Sequence, residues 1–163
     1  MSRHERIYRN LRQVTVYVDM VGDLFHAGHI ELLKAARAHG DWLVVGVLGD
    51  ETAKSYKRLP IMTLAERVAV VEACRYVDEV IAGAPFEVDE AFLNEHDIAT
   101  VVHGDDLSPQ AAKAVYGAAV AAGKLRYVPR TTAISTTDLI QRVIDRSAPD
   151  IRSACATTED PTL

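Results

Sequence analysis

Five short runs rich in branched aliphatic residues recur along the chain: Val14 to Val18, Trp42 to Gly49 (WLVVGVLG), Val77 to Gly83 (VDEVIAG), Ala99 to Gly104 (ATVVHG) and Leu125 to Arg130 (LRYVPR). They read as strands. Helical segments separate them: His26 to His39, stopped at Gly40; Thr63 to Cys74, with Thr63 and Glu66 as a capping box; Asp89 to His96; Pro109 to Ala122, rich in alanine; and Ser135 to Arg146, capped by Ser135. The segment Asp50 to Pro60 is polar and basic, carries Lys54, Lys57 and Arg58, and reads as a mobile loop. Strands alternating with helices dictate a parallel sheet covered on both faces. The expectation is therefore an α/β fold with a doubly wound, five-stranded parallel sheet over residues 1–147, followed by a small, polar, disordered tail over 148–163.

Ligands of such sheets bind beyond the carboxyl ends of the strands, at the point where the winding reverses. The chain's polar clusters fall there. "DLFHAGH" follows the first strand, Asp105 and Asp106 follow the fourth, and Arg130 ends the fifth. His26 and His29 stand at a helix start, where free N–H groups and the helix dipole favour an anion, and Gly28 leaves room beside the backbone. "ISTTD" places Ser135, Thr136 and Thr137 at another helix start, although Ser135 with Asp138 also reads as an ordinary cap. With Arg130 and Lys57 the set describes a triphosphate cradle. Neither G-x-x-x-x-G-K-[ST] nor G-x-G-x-x-G occurs, and nothing beyond Asp23 completes a metal set with the histidines.

Composition narrows the class further. A net charge of −5 argues against a surface that coats nucleic acid. No run is long enough to span a membrane, and the arginine-rich Met1 to Gln13 lacks the apolar core of a signal peptide, so the expected setting is the cytoplasm. Cys74 falls in an apolar helical pattern and Cys155 in the tail, which is no disulfide framework.

On "DLFHAGH" and "ISTT" the chain resembles the cytidylyltransferase family of nucleotidyltransferases, whose signatures are H-x-G-H and I-S-T-[TS]. "ERVAVVEACRYVDEVIAGAPF", "FLNEHDIATVVHGDD" and "PRTTAISTTDLI" are similar to segments of its ethanolamine-phosphate, choline-phosphate and glycerol-3-phosphate branches, and the likeness runs from about Val14 to Arg146. Two departures stand out: Met20, Val21 and Gly22 replace the usual G-x-F ahead of Asp23, and Ala133 replaces a glycine before Ile134.

The resemblance implies a Rossmann-like sheet of the H-x-G-H nucleotidyltransferase type and transfer of CMP from CTP to a small phospho-alcohol. An acceptor phosphate oxygen attacks the α-phosphorus in line and pyrophosphate leaves. Phosphoethanolamine is the first-choice acceptor, with phosphocholine or a hydroxyalkyl phosphonate next. In this reading His26, His29 and Lys57 are catalytic. Asp23, Gly28, Asp105, Arg130, Ile134, Ser135, Thr136 and Thr137 bind the nucleotide, with Asp105 or Asp106 near the base or ribose. Asp23 also orients the first histidine or the acceptor, Lys57 bridges acceptor and α-phosphate, and Phe86 flanks the acceptor. Mg²⁺ is the implied cofactor, held mainly by the nucleotide's phosphates. Arg67 matches a family position and otherwise reads as a helix salt bridge. A homodimer is expected, with Arg75 and Asp78 at the contact. The competing readings are an adenylyltransferase of the same superfamily and a nucleotide-binding paralogue with altered catalysis.

Overall fold

Alternate residues along the central strands face opposite sides of the sheet, and both sides are apolar. In the computed structural model, which describes residues 13–131 and 134–147, β1 (Thr15–Met20) turns Val16, Val18 and Met20 to one face and Tyr17 to the other. Beside it, β2 (Trp42–Leu48) turns Leu43, Val45 and Val47 to the first face and Val44 to the second. This is the pattern of a strand buried on both sides. The remaining strands are β3 (Glu79–Ala84), β4 (Ile98–Gly104) and β5 (Leu125–Val128). All pairings are parallel, and the spatial order is β3-β2-β1-β4-β5. The chain winds outward from β1 to β3, then returns to the other side of β1, so the winding reverses between β1 and β4.

Helices α1 (Ala27–Arg37) and α3 (Leu64–Glu72) cover one face, through Leu33, Ala36 and Val71. The opposite face is covered by α4 (Glu90–Glu95), α5 (Pro109–Val115) and α6 (Gly117–Ala121), with Phe92, Leu93, Tyr116 and Ala119 packed on Tyr17, Val44 and Val101. Gly46 makes the close packing of this face possible, because a methyl group there would meet the Tyr17 hydroxyl at 2.1 Å. The capping box of Thr63 and Glu66 forms as expected, with the Glu66 carboxylate accepting from the Thr63 backbone at 2.8 Å.

Two expectations need correction. Asp50–Tyr56 is a helix, α2, rather than a loop; only Ala53 in it is buried, so it shows no apolar periodicity. The segment Pro109 to Ala122 is two helices, because Tyr116 between them leaves helical geometry at φ −121°, ψ 31°. Asp78 accepts from the Leu43 N–H at 2.8 Å and lies 3.5 Å from Nε of Arg37. Residues 148–163, the expected tail with Cys155, and Ala133 lie outside the described residues. The last helix is α7 (Thr136–Ser147), none of whose side chains is fully buried. Among the described residues no helix is long and apolar enough to cross a membrane.

Candidate functional site

The carboxyl ends of β1 and β4, at the reversal of the sheet, open into a cavity of about 580 Å³. That lies within the usual range of about 300–1,000 Å³ for small-molecule sites. Its wall takes in His26, Gly28 and His29 from the start of α1, Lys57 from the end of α2, His103 and Asp106 from the end of β4, and Arg130 and Ile134 to Thr137 from the approach to α7. Asp23 and Phe86 also line it. Residues scattered over more than a hundred positions of chain thus meet at one edge of the sheet.

The two histidines hold each other's geometry. His26 is the N-cap of α1: its Nδ1 accepts from the Gly28 N–H at 3.1 Å, while the His26 N–H donates to Nδ1 of His29 at 3.2 Å. A ring nitrogen that accepts from the backbone carries no proton, so each neutral imidazole bears its hydrogen on Nε2. Burial first, then the neighbouring His26 and Lys57 charges, pull His29 down to about 4 from its ordinary 6.5. Burial likewise lowers His26, against a weaker opposing pull from Asp138. The pair therefore acts near neutrality as two uncharged N–H donors, not as imidazolium cations. Gly28, on the cavity wall, also makes this arrangement possible: a methyl group there would meet the His26 ring at 2.9 Å and the Ile134 carbonyl at 3.1 Å.

The start of α7 docks onto the same loop. The Thr136 hydroxyl donates to the Asp23 carbonyl at 3.0 Å and lies 3.5 Å from Nε2 of His26. Ser135 caps the helix with Asp138: its backbone N–H and hydroxyl both donate to that carboxylate, at 2.8 Å and 2.7 Å. Arg130 is held from both sides, its N–H by Asp105 at 3.0 Å and its guanidinium by Asp106 at 2.7 Å. Asp105 thus supports Arg130, and of the two neighbouring carboxylates it is Asp106 that lies on the cavity wall.

Asp23 has different partners from those expected. Its carboxylate is buried and accepts from Arg58 at 3.1 Å and from the N–H groups of Ile61 and Met62 at 3.0 Å each. Gly22 before it has φ +72°, a left-handed turn that favours glycine. The departure Met20-Val21-Gly22 thus places the glycine where the backbone turns.

Four residues of this edge, Asp19, Tyr56, His103 and Tyr116, carry no signal that the sequence made legible, and Arg67 has a different setting from the helix salt bridge expected of it. Asp19, near the end of β1, accepts from the Tyr116 hydroxyl with both carboxylate oxygens at 2.8 Å. Burial raises its pKa, offset by that hydrogen bond and by the charges of His103 and Lys57. The Tyr116 hydroxyl is pushed up by burial and by Asp19, and stays protonated. His103 sets Nδ1 against the Gly104 carbonyl at 2.9 Å, which makes Nδ1 the donor. Arg67 is fully buried among backbone carbonyls. Tyr56 stacks obliquely on Phe86, ring centres 4.9 Å apart, beside Lys57. Among the described residues no three His, Cys, Asp or Glu side chains converge as a metal set.

A family model described as cytidylyltransferase-like matches residues 22–142. The chain is 44% identical over 135 residues to an ethanolamine-phosphate cytidylyltransferase of Dictyostelium discoideum, covering 80% of this chain and 38% of that protein. It is 39% identical over 158 residues to an ethanolamine-phosphate cytidylyltransferase of Arabidopsis thaliana, covering 91% and 37%. It is 40% identical over 136 residues to choline-phosphate cytidylyltransferase A of Rattus norvegicus, covering 82% and 37%. The chain thus spans less than two fifths of the length of these three relatives. Among solved structures, a lipopolysaccharide core biosynthesis protein of Thermoplasma volcanium GSS1 superposes with a TM-score of 0.61 at 26% identity, covering 74% of this chain and 98% of that one.

Proposed function

The chain belongs to the cytidylyltransferase-like family, and on that premise we propose that it transfers CMP from CTP to a small phosphorylated amino alcohol of the phosphoethanolamine kind. An oxygen of the acceptor phosphate bonds to the α-phosphorus as the bond to the β-phosphate oxygen breaks, and pyrophosphate departs. The single observation that carries the choice of acceptor is Asp19. Its carboxylate lines the cavity with one hydroxyl partner, Tyr116, and the aromatic pair of Tyr56 and Phe86 lines the same cavity. Such a carboxylate seeks a cation, and an ammonium tethered to a phosphate supplies one.

The protein's part in the reaction is positioning and charge stabilisation. His26 and His29 offer neutral Nε2–H donors to phosphate oxygens as charge builds on them. Lys57, exposed at the end of α2, offsets the repulsion between acceptor and α-phosphate. Arg130 and the hydroxyls of Thr136 and Thr137 take the outer phosphates. The side chains named there are donors, so a Mg²⁺ would be held by the nucleotide's phosphates rather than by these residues, and would supply charge neutralisation for the leaving pyrophosphate. A homodimer working in the cytoplasm belongs to the same reading, and light scattering on the purified protein tests the assembly.

The test is a pyrophosphate-release assay that crosses CTP and ATP with phosphoethanolamine, phosphocholine, glycerol 3-phosphate and 2-hydroxyethylphosphonate. CTP with phosphoethanolamine should be the fastest pair. Asp19→Asn should raise KM for phosphoethanolamine by about tenfold or more, the scale of a lost charged hydrogen bond, with little change in KM for CTP. Faster release from ATP with every acceptor refutes the cytidylyl assignment. An unchanged preference among acceptors in Asp19→Asn refutes the role of the carboxylate.

A further inference from the structure

Two charged side chains are buried among the described residues, Asp23 at 4% exposure and Arg67 at 0%. Both are spent on one segment, the stretch 50–62 that carries Lys57. Arg67, on α3, reaches that stretch at both ends. Its Nη2 meets Asp50, the first residue of α2, at 2.5 Å, and its Nε donates to the Met62 carbonyl at 3.3 Å. Its Nη1 donates to the carbonyls of Leu48 and Val21, the latter in the turn after β1. Asp23 holds the far end again, through Ile61, Met62 and Arg58. Between these anchors the segment has little hold of its own. Ala53 is its one buried residue, and 54–59 are exposed.

We propose that Arg67 is a positioning residue for Lys57: with Asp23 it clamps both ends of the segment to the edge of the sheet and so sets where the ammonium stands over the cavity. The kinetic consequence rests on the function proposed above; the clamp itself does not. The chemistry explains why an arginine stands here. One guanidinium presents donors in several directions in a plane and engages four acceptors on three stretches of chain. A lysine ammonium is a point and cannot span them. Each partner carbonyl lies at the cavity's edge of the fold, at the end of β2, in the turn after β1 or in the approach to α3. An arginine needed only to fill the core has no reason to collect those four.

The test uses Asp50→Asn and Arg67→Lys, each alone and combined with Lys57→Ala. Asp50→Asn removes one anchor and leaves the three carbonyl bonds of Arg67, so it keeps the folding question separate if Arg67→Lys is unstable. We expect amides of 51–57 to exchange with solvent about tenfold faster in Asp50→Asn at an unchanged urea midpoint. We expect kcat to fall by about 10-fold to 10²-fold, the scale of a misplaced catalytic group, with KM for CTP nearly constant. In the Lys57→Ala background the same substitutions should cost no more than about twofold, because the group they position is gone. Native exchange of 51–57 in both variants overturns the clamp. Losses of kcat that multiply with that of Lys57→Ala overturn the link to Lys57. A wild-type protein that releases pyrophosphate from no pair of nucleotide and acceptor overturns the proposed function, while the exchange measurement still judges the clamp.

Discussion

At the scale of single residues, the state of the histidine pair follows from which nitrogen is already occupied. Both Nδ1 atoms accept from backbone N–H groups, so both Nε2 atoms are left as donors. Replacing His26 or His29 by Ala should lower kcat by about 10²-fold or more, as for a lost transition-state hydrogen bond, with a smaller change in CTP affinity; steady-state kinetics decides, and near-native kcat would make the pair purely structural. The same geometry has a pH signature. His29 titrates near 4 in the fold and near 6.5 when free, so the unfolded chain binds the extra proton between these values. Its contribution to stability is complete above pH 6.5 and is lost as pH falls toward 4. The loss between pH 6.5 and 5 is on the order of 2 kcal/mol from this residue. Urea unfolding at both pH values, for wild type and His29→Gln, isolates it: the variant should lose less stability on acidification. Identical slopes would show that His29 does not carry a depressed pKa. The sequence made the pair legible as a helix start, but not its charge, because burial and the backbone donors are properties of the folded loop.

At the scale of elements, the strands and the long helices were legible because each buries a regular apolar pattern, and α2 was not. Of the residues in Asp50–Tyr56 only Ala53 is buried, so nothing in its sequence repeats at helical spacing. Arg67 was obscured for the opposite reason: an arginine four residues after an N-cap reads as a surface ion pair, and its partners are mostly carbonyls distant in sequence. The helix assignment sharpens the test of Lys57. Lys54 lies in the last turn of α2 and pairs outward with Glu51 at 3.9 Å, whereas Lys57 follows the helix and lines the cavity. Lys57→Ala should reduce kcat/KM for the acceptor by about 10²-fold, on the scale of a lost electrostatic stabiliser, and Lys54→Ala by less than about twofold. Circular dichroism and thermal unfolding should show both variants folded. Equal effects at the two positions would mean that α2 contributes only a basic surface.

At the scale of the molecule, the sheet brings together groups that belong to separate parts of the chain. The alternation of strands and helices was enough to place the site at one edge, because a doubly wound sheet has a single reversal. It did not reveal Asp19 with Tyr116, which lie on different elements and carry no motif; only the pairing of β1 with β4 and the break at Tyr116 join them. The same construction leaves α7 weakly tied. None of its side chains is fully buried, and its start is held through the Thr136 hydroxyl on the Asp23 carbonyl. A triphosphate that engages His26 and His29 on one side and Thr136 and Thr137 on the other would bridge α1 and α7. Binding to the folded state alone stabilises it by about 2.7 kcal/mol at a hundredfold excess over Kd, which for a chain of this size raises Tm by roughly 5–10 °C. CTP should therefore give a thermal shift of that size, and ATP a smaller one at equal concentration. Hydrogen exchange should slow in α7 as well as at the start of α1. In Thr136→Ala the exchange of α7 should be fast without nucleotide, and CTP should restore less protection there than in the wild type. Protection confined to α1, with α7 unmoved by CTP, would show that the last helix takes no part in holding the nucleotide.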